Sequence, residues 1–443
     1  MTVEDRNDHA DLGHNVNRRV NRRLDRRLDE DLDRSTPAAS PLQGRDALGQ
    51  PAAGLRAWMA AAGEPEYRGA QLYHALYAQR LFDFASITSL PAALRTRLAT
   101  ELRIGIPQIA RRYLSTDGSV RYLLSPPWPD ISQEASREPG GVTDGSRAAI
   151  DAPLDQLISS AALSNAVASG VAVSHATGRT MARPVGARFE AVFMPSDGRQ
   201  TICISTQAGC AVDCHFCLTA QLGLIRNLTP GEIVGQVLVA LDDNRETLAP
   251  RTNVVMMGQG EPLLNFDPVM AAVRLMLDPD GMGLAARHVT LSTSGIIPGM
   301  IRLAQEKVRP RLAVSLNASS DEQRETIMPI NRKYPLRDLL GACRNYPLRT
   351  WERLTFEYVL LGGFNDTADD ARRVARLIDG LHAKVNLIPW NPGELPYRAP
   401  ESVRVEEFRC VLEQKSIPVF VRYSRGRDIA AACGQLALLE TTA

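Results

Sequence analysis

Hydrophobic and polar positions follow three different rhythms along the chain. From residue 54 to about 102 apolar residues recur at helical spacing. Leu55, Trp58 and Met59 form one face, and Tyr67, Leu72, Leu76 and Leu81 another, with Pro91 closing a loop. Two or three helices are predicted there. Residues 119–124 (SVRYLL) and 188–193 (RFEAVF) then read as strands. Between them, residues 125 to about 186 are rich in Pro, Gly, Ser and Ala. A structureless loop of that length is uncommon inside a compact domain. The stretch therefore reads as an insertion at a hairpin tip, with one short helix near 154–162. From Thr201 onward the rhythm changes again. Apolar, β-rich runs appear at TICIS, NVVMMG, HVTLSTS, RLAVSL, LTFEYVLL, KVNLIP and PVFVRY, with helical stretches such as 229–241 and 369–381 between most of them. Near-continuous apolar strands alternating with helices indicate a parallel sheet covered by helices. The predicted fold is α/β, closed as a barrel or partial barrel.

This reading divides the chain into a charged tail (1–49), a helical accessory domain (50–115), a hairpin carrying the insertion (116–195), an α/β core (196–428) and a C-terminal tail (429–443). In the first tail, Val20, Leu24, Leu28 and Leu32 stand at helical spacing among charges. Such a stripe is usually a weakly ordered charged arm, and no chemistry is assigned to it. Several core strands end in small or polar residues: Gly258-Gln259-Gly260-Glu261, Ser292-Thr293-Ser294-Gly295, Ser315-Leu316-Asn317 and Trp390-Asn391. Polar residues after the carboxyl ends of parallel strands mark the ligand face.

Composition narrows the class. In 443 residues, 51 Lys and Arg balance 50 Asp and Glu, so the chain as a whole is no polycationic binder, although local basic patches remain open. No apolar run is long enough to span a bilayer. No secretory signal or transit peptide is read at the start, and the cytoplasm is the expected compartment. Seven cysteines is an odd number for a disulfide framework, and three of them are clustered.

That cluster, Cys210-x-x-x-Cys214-x-x-Cys217, is the sharpest chemical signal. It follows the first strand of the α/β region. Three close thiolates suit a soft metal or an iron–sulfur cluster. A four-iron cubane held by three cysteines keeps one iron open to an exogenous ligand. A structural zinc needs a fourth ligand, for which His215 is the nearest candidate, poorly placed between two cysteines. The spacing and its place in the chain resemble the radical S-adenosylmethionine (SAM) enzymes. That resemblance implies a [4Fe–4S] cluster whose open iron is chelated by SAM, and reductive cleavage of SAM to a 5′-deoxyadenosyl radical.

The flanking blocks are more specific. They read Glu190-Ala-Val-Phe-Met-Pro, Thr201-Ile-Cys203-Ile-Ser-Thr-Gln-Ala-Gly-Cys210, Phe216-Cys217-x-Thr219-Ala220, Gly260-Glu261-Pro262-Leu-Leu-Asn265, Val289-Thr-Leu-Ser292-Thr-Ser-Gly295, Pro329-Ile-Asn-Arg-Lys-Tyr, Val385-Asn-Leu-Ile-Pro-Trp-Asn391-Pro and Asp428-Ile-Ala-Ala-Ala-Cys433-Gly-Gln-Leu. From about Leu55 to Leu436, apart from the insertion, these resemble the RlmN/Cfr family of RNA methyltransferases, on its adenine-C2 (RlmN) branch.

The resemblance implies a mechanism. Adenine C2 is electron-poor, so a plain methyl transfer to it cannot work. In the family one cysteine takes a methyl from a first SAM. The radical from a second SAM removes hydrogen from that S-methyl group. The methylene radical then adds to C2. A base takes the C2 proton, and another cysteine resolves the RNA–protein thioether by forming a disulfide. By matching blocks, Cys433 is the methyl carrier, Cys203 the resolving cysteine and Glu190 the proton acceptor. Gly260, Glu261, Ser292, Ser315, Leu316, Asn317 and Asn391 are SAM contacts, and Cys210, Cys214 and Cys217 are cluster ligands. Cys343 and Cys410 read as buried small hydrophobes.

Two departures stand out. Asn317 replaces a family His, which removes a group able to charge. Gln259 replaces a common Met, and no consequence is read from it. The implied partners are 23S rRNA, tRNA and an electron donor such as flavodoxin, with no membrane and a monomeric protein. Arg422, Arg425, Arg427, Arg332 and Lys333 are candidate phosphate contacts. Adenine inside folded RNA hides C2, so the target must be unstacked. The alternatives are C8 methylation as in the Cfr sister group, another radical enzyme such as a glycyl-radical activase, and a non-catalytic RNA-binding factor. The activase would have no use for Cys203 and Cys433, and the intact cysteine set argues against the binding factor.

Overall fold

The computed structural model describes residues 46–127 and 188–438. Residues 1–45 of the charged arm, the insertion with its expected short helix, and the last five residues of the chain lie outside the described residues; residues 46–49, read above as the end of the arm, belong instead to the folded body, with Ala47 and Leu48 buried in its core.

Three helices open the fold: α1 (Ala52–Ala61), α2 (Tyr67–Tyr77) and α3 (Ala92–Glu101). They bury Leu55 and Met59, then Leu72, Tyr73, Leu76 and Tyr77, then Leu94 and Leu98. Three residues of the sequence pattern depart from it: Tyr67 is 55% exposed, and Trp58 and Leu81 are only partly buried. At the α1–α2 crossing, a Cβ on Gly69 would stand 2.4 Å from the Arg56 nitrogen, so only glycine lets the helices approach this closely. Tyr73 docks the helices on the core by donating to Asp278 Oδ2 at 2.7 Å.

A ten-stranded sheet follows. Its first part is antiparallel: β1 (Gln108–Leu114), β2 (Val120–Ser125), β3 (Phe189–Ser196) and β4 (Arg199–Cys203). From β4 the pairing turns parallel through β7 (Thr252–Met256), β8 (Val289–Thr293), β9 (Arg311–Ser315), β10 (Leu354–Leu360), β11 (Ala383–Pro389) and β12 (Val419–Val421). The strands lie side by side in the order β1-β2-β3-β4-β7-β8-β9-β10-β11-β12. This is the α/β partial barrel that the strand–helix alternation predicts, with the antiparallel ribbon continuing one edge. Strand β1 is an addition to the sequence reading. Every residue in it except Tyr113 is exposed, so it carries no period-two apolar signal.

Two local features build the ligand end. First, β5 (Gln207–Gly209) and β6 (Leu224–Asn227) pair antiparallel and pinch the base of the loop between them, which holds all three clustered cysteines. A Cβ on Gly209 would sit 1.9 Å from the Gly223 carbonyl oxygen, so glycine closes this neck. Second, the helix after β6, α4 (Pro230–Asp243), begins with a capping box. Thr229 Oγ accepts from the Glu232 N–H, and the Glu232 carboxylate accepts from the Thr229 N–H. Such a cap contributes about 1 kcal/mol. Buried Glu232 also takes both guanidinium nitrogens of Arg226 at 2.8 and 2.6 Å. That bidentate pair fixes β6 to α4.

The sheet ends at β1 on one side and β12 on the other. The segment after β12 fastens across to the turn between β1 and β2. Asp428 accepts from Ser115 Oγ at 2.5 Å and from the Thr116 N–H at 3.0 Å, and Asp117 accepts from the Gly426 N–H at 3.0 Å. The chain carrying Cys433 is thereby tied to both edges of the sheet.

Candidate active site

The cysteine loop and the ends of β7 to β11 enclose one cavity of about 170 Å³. Cys210, Cys214 and Cys217 line it together with Gly260, Glu261, Ser292, Ser315, Asn317 and Asn391. Among the residues expected to touch SAM, Leu316 stands apart. Its side chain is fully buried in the hydrophobic core and lies outside the cavity lining.

Each lining residue has a reason for its position. Gly260 has φ 97°, and a Cβ there would meet the Gln207 side chain at 2.5 Å. Only glycine makes this turn. Glu261 is 3% exposed, and its carboxylate accepts from the Ser294 N–H (2.7 Å), Ser294 Oγ (2.8 Å) and the Leu263 N–H (3.1 Å). Burial raises its pKa while these donors pull it back. Three bonds leave a carboxylate with acceptor capacity for a further donor from the cavity. Asn317 is left-handed at φ 56°, a conformation that asparagine tolerates. Its Oδ1 accepts from the Val359 N–H at 2.9 Å, and its carbonyl accepts from Asn365. Asn317 therefore closes the turn after β9. Asn391 donates to Ser424 Oγ at 2.7 Å.

The donor set fits an iron–sulfur cluster. Among the described residues, no three His, Cys, Asp or Glu side chains converge as they would on a single metal ion. Cubane ligands bind different irons and stand apart around a common space, as these three thiols do on the wall of one cavity. His215 turns away: its Nδ1 contacts the Thr326 carbonyl at 2.8 Å, and the side chain is 44% exposed. Burial raises all three thiol pKa values, Cys210 to about 12. Fully buried Arg324 lies within electrostatic reach of Cys214. It donates to the carbonyls of Ser294, Ser315 and Leu316 and to Asn331 Oδ1, all neutral oxygens. A buried cation with neutral partners suits an anionic neighbour.

A second cavity, of about 690 Å³, shares Cys217, Gly258, Glu357, Cys433 and Gly434 with the first. Cys203 lines it as well. Cys203 ends β4 and is paired with Val192 of β3. Cys433 is exposed on the tail, which the Leu218 N–H and Thr219 Oγ hold through the carbonyls of Gly434 and Leu436. Both cysteines are free thiols. Burial, together with neighbouring Cys433, raises the Cys203 thiol pKa.

This larger cavity is strongly cationic. Each parallel strand from β4 to β11 brings one cation within two residues of its start: Arg199, Arg251, Arg287, Arg311, Arg353 and Lys384. Arg422 and Arg425 join them. Among the described residues lining it, Glu357 is the only acid. Burial, Arg311 and Arg422 push Lys384 down to about 8. Of the sequence candidates for phosphate contact, Arg422 and Arg425 line this cavity. Arg427, Arg332 and Lys333 do not, and Arg332 pairs with Glu325 at 2.6 Å.

Glu190 lies behind the cavity wall, 1% exposed. Its Oε1 accepts from Arg121 at 3.0 Å, and its Oε2 from Gln259 Nε2 (3.1 Å) and the Leu438 N–H (3.0 Å). Arg121 is itself fully buried, 4.1 Å from the Tyr113 ring. Burial raises the Glu190 pKa, and Arg121 and Leu438 oppose that. Gln259, to which the sequence reading gave no consequence, thus holds this carboxylate. Two other cysteines divide. Cys343 is buried, as expected, whereas Cys410 sits half-exposed on the helix Ser402–Gln414, its thiol 3.6 Å from Glu406. The apolar neighbours of Cys410 in sequence lie on other faces of that helix.

Comparisons with known proteins agree with this architecture. The Radical SAM superfamily matches residues 204–378, and the Ribosomal RNA large subunit methyltransferase N-terminal domain matches residues 46–104. A probable dual-specificity RNA methyltransferase RlmN of Koribacter versatilis is 44% identical over 381 residues, covering 84% of this chain and 96% of its own. The dual-specificity RNA methyltransferase RlmN of Anaeromyxobacter dehalogenans is 41% identical over 391 residues, covering 86% and 89%. The crystal structure of a radical SAM methyltransferase from Sphaerobacter thermophilus superposes with a TM-score of 0.72 at 37% identity, over 88% of this chain and 98% of that one.

Proposed function

Because the chain belongs to the RlmN family of radical SAM RNA methyltransferases, we propose that it methylates C2 of a specific adenosine in 23S rRNA, and of the adenosine 3′ of the anticodon in tRNA. Its cofactors are a [4Fe–4S] cluster and SAM, two molecules per turnover. Cys210, Cys214 and Cys217 would hold the cluster; Gly260, Glu261, Ser292, Ser315, Asn317 and Asn391 would line the SAM site. When bound, this pair supplies a methyl group for a thiol and a hydrogen-abstracting carbon radical.

The observation that carries the reading is the place of Cys433. It stands where the small cavity meets the cationic one, with Cys203 in the wall of the latter. One thiol can thus receive a methyl group from the SAM side and present it to RNA on the other. The cations at the strand starts suit phosphates flanking an unstacked adenosine. In this proposal Cys433 becomes covalently joined to C2 through a methylene bridge. Glu190 accepts the C2 proton, and the odd electron left on the adduct would return to the cluster that Cys210, Cys214 and Cys217 would hold, so that a closed-shell thioether remains. The Cys203 thiolate attacks the Cys433 sulfur, the S–S bond forms, the C–S bond breaks, and its electron pair takes up a proton to give the methyl group.

Cys203→Ala tests this directly. The variant lacks the resolving thiol, so it should accumulate a covalent RNA–protein species, seen as a shifted band on a denaturing gel. Turnover at the wild-type rate without that species would reject the scheme.

A further inference from the structure

Gln259 belongs to the turn after β7, whose neighbours Gly258, Gly260 and Glu261 line the small cavity. Its backbone is fixed: its N–H donates to Ser205 Oγ at 2.9 Å, and its carbonyl accepts from the Thr206 N–H at 2.8 Å. Ser205 Oγ in turn donates to the Glu190 carbonyl at 2.6 Å. The Gln259 side chain is fully buried and donates through Nε2 to Glu190 Oε2. Its own carbonyl oxygen is buried with no hydrogen-bond partner. A buried orphan acceptor is destabilising and calls for a reason.

The surroundings of Glu190 supply one. Arg121 faces it from β2, Tyr113 stands behind Arg121 on β1, Cys203 lies on β4, and the Leu438 N–H comes from the tail. Arg121 can only donate, and it occupies Oε1. Oε2 differs in that one of its two donors, Gln259, is an amide that can turn over to accept, so a proton settling on Oε2 can be met by an acceptor. Leu438 belongs to the tail that carries Cys433, so Gln259 is the donor left to Oε2 whenever that tail shifts. An amide serves both protonation states. Its NH2 donates to the carboxylate, and after a half-turn its carbonyl accepts from the acid O–H. A methionine in its place would do neither.

We propose that Gln259 is a positioning residue for the proton-accepting step, holding Oε2 of Glu190 in place both as carboxylate and as acid. The inference rests on the reading of Glu190 as proton acceptor. In the step the C2–H bond breaks, its electron pair stays with the RNA adduct, and an O–H bond forms at Oε2. No other reactant is consumed. Gln259 exchanges its donor for its unused acceptor.

The test follows the decay of the covalent RNA–protein species against pH, in wild type, Gln259→Met, Gln259→Glu and Glu190→Gln. Iron–sulfur absorbance reports that each variant is folded. Gln259→Met loses a donor that favours the carboxylate, so the acid limb should move up by about one pH unit, about tenfold slower decay on that limb. Gln259→Glu adds a like charge and should move it further. An unmoved acid limb in both variants overturns the inference, and so does equal slowing at every pH, which marks a merely structural role. Normal decay in Glu190→Gln overturns the reading of Glu190 itself, whatever the Gln259 variants do.

Discussion

Cys433 and Cys203 share one cavity wall but have different exposure, and their substitutions should separate. Cys433→Ala removes an accessible thiol that no buried contact requires. It should retain the cluster absorbance, form no methylated RNA and form no covalent adduct, whereas Cys203→Ala forms the adduct and stalls. Lys384 gives a pH dependence of its own. Its ammonium is held near pKa 8 by burial and by Arg311 and Arg422, so its charge is present below pH 8 and lost above it. RNA affinity should fall as pH rises from 7 to 9, measured by fluorescence anisotropy. Lys384→Arg, whose guanidinium stays charged, should flatten that fall. The cysteine roles were legible because their signal is local: a spacing of four and three at a strand end, and short flanking blocks. The Glu190 environment was not. Arg121 and Gln259 each lie 69 positions from it in sequence, and no local pattern connects them. For that reason Gln259 read as a silent replacement.

At the scale of elements, the tail after β12 works because it is tied at both edges of the sheet. Asp428 and Asp117 hold it to the β1–β2 turn, and Thr219 and Leu218 hold it to the cysteine loop. Asp428→Asn weakens the exposed tie without touching the cofactor cavity. It should speed tryptic cleavage at Arg425 and Arg427 severalfold and lower methylation, while cluster absorbance stays unchanged. Unchanged proteolysis would show that the tail is held elsewhere. The parallel strands were legible because burial on both faces writes continuous apolar runs. Strand β1 was silent: six of its seven residues are exposed, and its place is set by pairing with β2 rather than by its own pattern. Yet β1 leads into the turn that receives the tail, so the unread element is part of what positions Cys433.

At the scale of the whole molecule, a net charge of +1 hides a concentrated field. The six cations at the strand starts are spread from Arg199 to Lys384 in sequence and meet only when the strands lie side by side. Composition alone therefore argued against a polycationic chain while the fold gathered a cationic cavity. Arg311→Glu or Arg353→Glu should weaken RNA binding across sequences, and lower the slope of log affinity against log salt by about one for each phosphate no longer neutralised. The central claim, that this cavity and its two thiols methylate adenine at C2, is met most directly by nucleoside mass spectrometry. The cluster is reconstituted without oxygen, reductant and SAM are supplied, and rRNA and tRNA from cells lacking the modification are offered. The account predicts 2-methyladenosine, and the RNA that carries it names the substrate. Release of 5′-deoxyadenosine with no 2-methyladenosine would contradict it.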